Sequence, residues 1–540
     1  MPFLKTLISW TTLISTIQAA FPVIETAQGP VRGVASPYRE NVTVYRGIPF
    51  AAPPVGNLRF TPPRPPANHS GVLEAEKFGP QCVQTKESSP GIFYTGSDQM
   101  SEDCLYLNIW TPTYKDDEDI KSKNLPVYYW IYGGRYEMGS GDVKTYDGSG
   151  LAIKDVIVVT VNYRVGAFGY FAHPELSAES PHNSSGNYGT LDQIAGLKWV
   201  HENIANFGGN PNQIVTGGQS AGSASSLIMA YSPLSRDYIA GAISESGALS
   251  PHDPNTASLA VSYRNKREAE LFGVKLFREL NITTPAQLRN LSVDALNNLD
   301  TENEDLLVGT PFATLDMEPP EWRPVVDGWV LTEKYGPLLR HNNHADVPIM
   351  TGFNKDEGIG EYNATYYKSL YGEVFQNFST EFFKLYPAAN DTQATDSSNT
   401  WKRDMSRVTS WKYAADWVAG GANTNVYTYF FTRAPQEDLS GGAYHGAELW
   451  YTFNNIPYAD YTANLTWPAK DYAIADRMSD YWVNFIRSGN PNGPGLPTWE
   501  PSTQEAKKIM YLGNTWGMQS IAPDAVVSFL MDWFSTLYEW

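Results

Sequence analysis

Residues 213–231 read QIVTGGQSAGSASSLIMAY, and the turn inside this stretch, Gly218-Gln219-Ser220-Ala221-Gly222, decides how the rest of the chain is read. The β-rich run Gln213 to Gly217 before it has the bias of a strand, and Ala221 to Tyr231 after it has that of a helix. A G-x-S-x-G turn between strand and helix needs small flanking residues because the two elements pass close together. It also forces the serine into strained backbone geometry that lifts the hydroxyl clear of the sheet. Ser220 is therefore a candidate nucleophile. Three fixed positions arise by chance in about one such chain in a few, so the strand and helix on either side carry the weight.

Working outward, Val42 to Phe50, Cys104 to Trp110, Leu125 to Tyr132 and Val156 to Tyr163 share the β-branched and aromatic bias of strands. The run from Val156 to Val161 is almost continuously apolar, as expected of a strand buried on both faces. Leu191, Ile194, Ala195, Leu197, Trp199 and Val200 mark one face of a helix over Leu191 to Phe207. Further strands are expected at Gly241 to Ser244, Val347 to Phe353 and Asn425 to Thr432. This alternation predicts an α/β fold with a large, mostly parallel central sheet flanked by helices. Residues 259–327, rich in Asn, Leu and Glu, read as a helical excursion over that sheet. No Gly-, Ser- or Pro-rich linker and no internal repeat divides the chain, so residues 21–540 are expected to form one domain.

The 540 residues carry a formal net charge of -19, which disfavours nucleic acid and anionic membrane surfaces as partners. Residues 1–20 read as a secretory signal peptide: Lys5, an apolar run from Leu7 to Ile17, then Gln18-Ala19-Ala20. The alternative is a buried N-terminal helix. No later window is long and apolar enough to anchor in a membrane; Ser528 to Trp540 is amphipathic and reads as a packing helix. The expected product is secreted and extracellular. Cys82 and Cys104, the only cysteines, suit a disulfide in that compartment and make a poor metal site. Neither a metal nor another cofactor is expected. Glycosylation sequons stand at Asn41, Asn68, Asn183, Asn281, Asn290, Asn363, Asn377, Asn390 and Asn464, each a weak signal by itself.

A serine hydroxyl is a poor nucleophile without a base, usually a histidine oriented by a carboxylate. With the serine on a strand–turn–helix, the chain order is serine, acid, histidine. That order prunes the eight histidines. His69, His173, His182 and His201 precede Ser220, and His252 leaves almost no room for an intervening acid. His341 and His344 lie in the polar loop HNNHAD, where solvated histidines are common. His445 follows an expected strand through Gly441-Gly442-Ala443-Tyr444, which places it over the carboxyl edge of the sheet. Just past the strand VPIMTGF, Asp356 and Glu357 are both candidate acids, and the residue pattern alone does not choose between them. An ordinary solvated loop acid is the plain reading of each. Backbone donors for an oxyanion are expected at Ala221 and in Tyr132-Gly133-Gly134-Arg135, although a strand-ending Gly-Gly is an ordinary turn in most proteins.

Taken together, several blocks resemble the type-B carboxylesterase/lipase family, which includes cholinesterases and fungal lipases. They are YRGIPFAAPPVGNLRF from Tyr45, SEDCLYLNIW from Ser101, WIYGGR from Trp130, NYRVGAFGYF from Asn162 and the long block from Asn187 to Gly222. In character the chain is most similar to secreted fungal carboxylesterases. The resemblance implies an α/β-hydrolase fold and, through the DEG motif at Asp356-Glu357-Gly358, makes Glu357 the acid of a Ser220–His445–Glu357 triad. It implies oxyanion donors at Gly134, Arg135 and Ala221, and a supporting polar network of Gln219, Ser246 and Glu448. It also implies a Cys82–Cys104 disulfide and structural ion pairs of Arg46 with Glu102 and Arg164 with Asp192.

Two positions depart from the family pattern. Arg135 stands where a third glycine is usual, at a cost of about 1 kcal/mol if the backbone there is left-handed. Its guanidinium either reaches an acidic ester or points into solvent. Gln219 stands where glutamate is common, which removes a charge suited to cationic substrates; Tyr94 falls near the choline-binding tryptophan of cholinesterases. Both argue against cholinesterase activity. The expected function is hydrolysis of a soluble or moderately apolar small-molecule ester through an acyl-enzyme. A lipase or sterol esterase is the variant reading, and a catalytically silent adhesion protein the rival from another class.

Overall fold

A computed structural model describes residues 21–85, 91–94, 99–258, 262–299, 319–436, 438–456 and 465–540. The signal peptide expected at residues 1–20, Asn464 and most of 300–327 lie outside the described residues. The sheet at the centre has 11 strands. In chain order they are β1 Val34–Ala35, β2 Val42–Pro49, β3 Tyr106–Pro112, β4 Leu125–Ile131, β5 Ile157–Val161 and β6 Gly209–Gln219. They continue with β7 Gly241–Glu245, β8 Ile349–Asn354, β9 Val426–Phe431, β10 Lys508–Leu512 and β11 Gly517–Ser520. Their order across the sheet is β11-β10-β9-β8-β7-β6-β4-β5-β3-β2-β1.

From β10 to β5 every neighbouring pair is parallel, whereas β1, β2, β3 and β11 join antiparallel at the two edges. The apolar run read at Val156 to Val161 is β5, and it and β9 are buried at every residue, as strands covered on both faces must be. The covering helices include α1 Tyr188–Asn203, α2 Ala221–Tyr231, α3 Lys266–Glu279, α4 Ala364–Phe375, α5 Asp391–Ala419, α6 Ala469–Ser488 and α7 Asp524–Phe534. This is the α/β-hydrolase arrangement that the resemblance implies.

The helical excursion is present as α3 and the short helices Pro285–Arg289 and Val293–Asn297. A second aromatic core was not anticipated. Phe375 of α4 stacks on Phe382 at 4.1 Å and meets Trp533 of α7 at 4.5 Å, with Trp401 of α5 edge-on at 5.1 Å. These rings come from residues far apart in sequence, so no local period reveals that they share a core.

One expected ion pair is corrected. Glu102 is held by Arg59, with Nε and Nη2 each donating to one carboxylate oxygen at 2.5 and 2.6 Å. Arg46 instead donates to the Glu76 carbonyl and lies over the Phe78 ring at 4.9 Å. Arg59 also donates to the carbonyls of Arg289 and Leu291, so its fork ties the 102 loop to the excursion. The Arg164–Asp192 pair forms as expected, bidentate and buried at 2.7 Å.

Candidate active site

Four neighbouring parallel strands each deliver one polar residue at their carboxyl ends. Ser220 follows β6, Ser246 follows β7, Glu357 lies just past β8, and His445 hangs on the loop after β9. The carboxyl edge of a parallel sheet is where such folds place ligands.

Ser220 sits at φ 60°, ψ -124°, a conformation that L-residues rarely adopt, and α2 begins at the next residue. The glycines around it are set by close approach. A Cβ on Gly222 would stand 2.1 Å from the Ile131 carbonyl oxygen, and one on Gly218 2.2 Å from that of Gly222. The G-x-S-x-G pattern is thus a record of β4, β6 and α2 touching. Ser220 N–H donates to the Glu245 carbonyl at 2.9 Å, which fixes the turn to β7.

Glu357 accepts three hydrogen bonds. Oε2 meets His445 Nδ1 at 2.6 Å, while Oε1 takes the Ser246 hydroxyl at 2.6 Å and the Asn354 N–H at 2.7 Å. Ser246 reaches inward from a left-handed backbone, φ 59°. Burial pushes the His445 imidazole down, but the Glu357 carboxylate outweighs it and the net shift is upward. Asp356 faces the other way. Arg403 holds its Oδ1 at 2.6 Å and the Ala443 N–H donates to its Oδ2 at 2.9 Å, so it braces the loop that carries His445. The geometry brings Glu357 to His445 and assigns Asp356 a structural contact. The discarded histidines have structural contacts as well: His344 stacks on Trp417 at 3.8 Å, and His341 meets Glu333 at 3.3 Å.

His445 Nε2, the nitrogen directed away from Glu357, is 2.9 Å from the Gln219 amide nitrogen. With Nδ1–H donated to Glu357, Nε2 is the acceptor in that contact. No hydrogen bond joins Ser220 Oγ to His445 among those described; the Gln219 amide occupies the Nε2 lone pair. Catalytic hydrogen bonds are often long or absent before substrate binds.

The loop after β4 approaches Ser220 closely. Gly134 has φ 108° and a Cβ there would meet the Met138 carbonyl oxygen at 2.3 Å, so this position admits glycine alone. The Gly134 N–H has no acceptor among the described residues. The Ala221 N–H opens α2, where it has no intrahelical acceptor. Arg135 adopts φ 58°, the left-handed geometry that glycine would take without cost, and its Nε lies 3.5 Å from Glu137.

Two further contacts escaped the sequence reading. Asn354 donates from Nδ2 to the Tyr444 carbonyl at 2.8 Å and to Glu448, joining β8 to the histidine loop. Phe93 lies in the loop closed by the Cys82–Cys104 disulfide, which is formed, and its ring packs where a Cβ on Gly446 would stand. No pattern in the sequence marks either residue. Tyr94 next to it is partly buried.

Among the described residues no group of His, Cys, Asp and Glu is arranged to hold a metal ion. No helix of the described residues is long and apolar enough to cross a membrane.

A family model described as the carboxylesterase family matches residues 20–529. The chain is 32% identical over 505 residues to a fumonisin B1 esterase of Sphingopyxis macrogoltabida, covering 92% of this chain and 87% of that one. It is 33% identical over 548 residues to a liver carboxylesterase of Sus scrofa, covering 92% and 90%. Among solved structures it is similar to a PNB esterase, with TM-score 0.75 and 26% identity over 94% of this chain and 99% of that one.

Proposed function

The chain belongs to the carboxylesterase family, serine hydrolases that cleave esters, and on that premise we propose that Ser220, His445 and Glu357 are its catalytic triad. The observation that carries this reading is the 2.6 Å contact from Glu357 Oε2 to His445 Nδ1, at the carboxyl ends of β8 and β9, on the same edge of the sheet where β6 presents Ser220. Ser220 Oγ attacks the ester carbonyl while His445 Nε2, released from Gln219, takes its proton. Glu357 holds the imidazole in the required tautomer and stabilises the imidazolium that forms. Backbone N–H groups of Gly134, Arg135 and Ala221 receive the developing oxyanion. His445 returns the proton to the leaving alcohol, and a water then releases the acid by the same steps.

The substrate proposed is a soluble or moderately apolar ester. Gln219, an amide beside the nucleophile, supplies no charge for a cationic alcohol group. Secretion is proposed as well. The Cys82–Cys104 disulfide suits an oxidising compartment, and the sequon asparagines 41, 68, 183, 281, 290, 363, 377 and 390 are all exposed. The test is hydrolysis of short p-nitrophenyl acyl esters by wild type and Ser220→Ala. Wild type is expected to turn over and the variant not to; equal turnover in the two would overturn the assignment. A panel of acyl lengths and charges then ranks substrates.

A further inference from the structure

Beneath the triad lie two more acids to which the ester-cleaving steps give no role. Glu245 ends β7 and pairs in register with Gln219 of β6, directly before the nucleophile. Glu448 follows His445 by three residues. Both side chains are fully buried. Glu245 Oε1 receives the Trp482 indole N–H at 2.9 Å and the Tyr128 hydroxyl at 3.4 Å. Glu448 Oε2 receives the Asn354 amide. The remaining oxygens, Glu245 Oε2 and Glu448 Oε1, receive no hydrogen bond from any other N–H or O–H donor, and the two carboxyl groups are within hydrogen-bonding reach of each other.

Two ionised carboxylates so placed would repel strongly in a medium that solvates neither. The titratable groups around the pair are Tyr128 on β4, Tyr429 on β9, Glu357 after β8 and His445. No lysine or arginine forms an ion pair with either acid among the described residues. Burial keeps both tyrosines neutral, so they can donate but cannot offset charge.

We propose that Glu245 and Glu448 share one proton, carried on Glu245 Oε2 and donated to Glu448 Oε1, leaving a single negative charge that supports the His445 imidazolium. Glu448 keeps the charge because it, and not Glu245, is among the carboxylates acting on the imidazole, and Asn354, which donates to it, also fixes Glu357 through its backbone N–H. Burial and then the neighbouring Glu448 raise Glu245 well above the usual carboxyl range. Burial and then Glu357 raise Glu448 to about 7, so above that pH the proton left in the pair belongs to Glu245. Glu245 and Glu448 are thus positioning residues for the proposed triad, and their effect on catalysis rests on that reading.

Infrared spectra of the purified enzyme at pH 8 and pH profiles of kcat/KM on an uncharged short ester test this. Subtracting the spectrum of Glu245→Gln from that of wild type should leave the carbonyl band of a neutral carboxyl group. Glu245→Gln supplies the same donor and should keep the acid limb of the profile where wild type has it. Glu448→Gln removes the charge and should move that limb to lower pH by about 1 unit or more. A merely structural pair would lower kcat without moving the limb. An empty difference spectrum, a limb that shifts equally in both variants, or failure of Glu245→Gln to fold would each overturn the proposal. The infrared reading needs no turnover, so it stands or falls independently of the Ser220 assignment.

Discussion

The turn that carries Ser220 and the loop that carries His445 are held in place by different physics. At the turn, sterics decide: Gly218 and Gly222 admit β4 and α2 to within van der Waals contact, and the serine is left in backbone geometry that only those contacts sustain. At the loop, polar bonds from distant elements decide. Arg403 on α5 fixes Asp356, Asp356 fixes Ala443, and Asn354 on β8 ties Tyr444 and Glu448 together. The Ser220 turn is a rigid local device, whereas His445 is placed by a network that spans much of the chain. Substitutions at the first should abolish chemistry or block folding. Those at the second should yield graded losses and pH shifts.

The largest effect is expected at Ser220. Ser220→Ala should lower kcat by about 10⁴-fold or more with an unchanged melting temperature, since the smaller side chain leaves every close contact of the turn intact. Next is Glu357→Gln, which leaves the shape intact but lets the imidazole take the wrong tautomer. It should cost roughly 10³–10⁴-fold in kcat. Its neighbour is the sharper test of the contrast. Asp356→Asn weakens the Arg403 brace and should cost about 1–3 kcal/mol in denaturant unfolding, with activity per folded molecule reduced far less than in Glu357→Gln. If the two variants lose kcat equally, the division of labour between these adjacent acids is wrong.

The smallest effect is a pH shift at Gln219. Glutamate there would set a negative charge beside Nε2, favour the imidazolium and raise the His445 pKa further. With neutral imidazole as the proposed base, activity should then be lost at a higher pH than in wild type. The acid limb of kcat/KM should move upward in Gln219→Glu by about 1 unit. A downward shift would contradict the sign of this contact.

The same contrast explains what the sequence disclosed. The Ser220 turn was legible because its constraint is local and steric, and sterics leave glycines behind as a readable mark. The parallel strands β4 to β9 were legible from their β-branched, aromatic and apolar bias, whereas β10, five residues with an exposed Lys508 at its start, was missed. His445 emerged from chain order, but Asp356 and Glu357 are neighbours of the same chemistry, and the residues alone do not separate them. Family resemblance pointed to Glu357, and the fold brings it to the imidazole. The Arg46–Glu102 expectation failed because Arg59 reaches Glu102 with a bidentate fork, a partner choice made by tertiary packing. Asn354, Phe93 and the pairing of Glu448 with Glu245 were missed for the same reason, since each acts across tens or hundreds of residues and follows no period.

The central claim, that Ser220 is the nucleophile activated by His445, is tested most directly by mass spectrometry after reaction with an organophosphate. The account predicts one adduct per chain, on the peptide containing Ser220, with activity lost in proportion to labelling and no adduct on Ser220→Ala. Inactivation with the adduct on another residue, or with Ser220 unmodified, would contradict it.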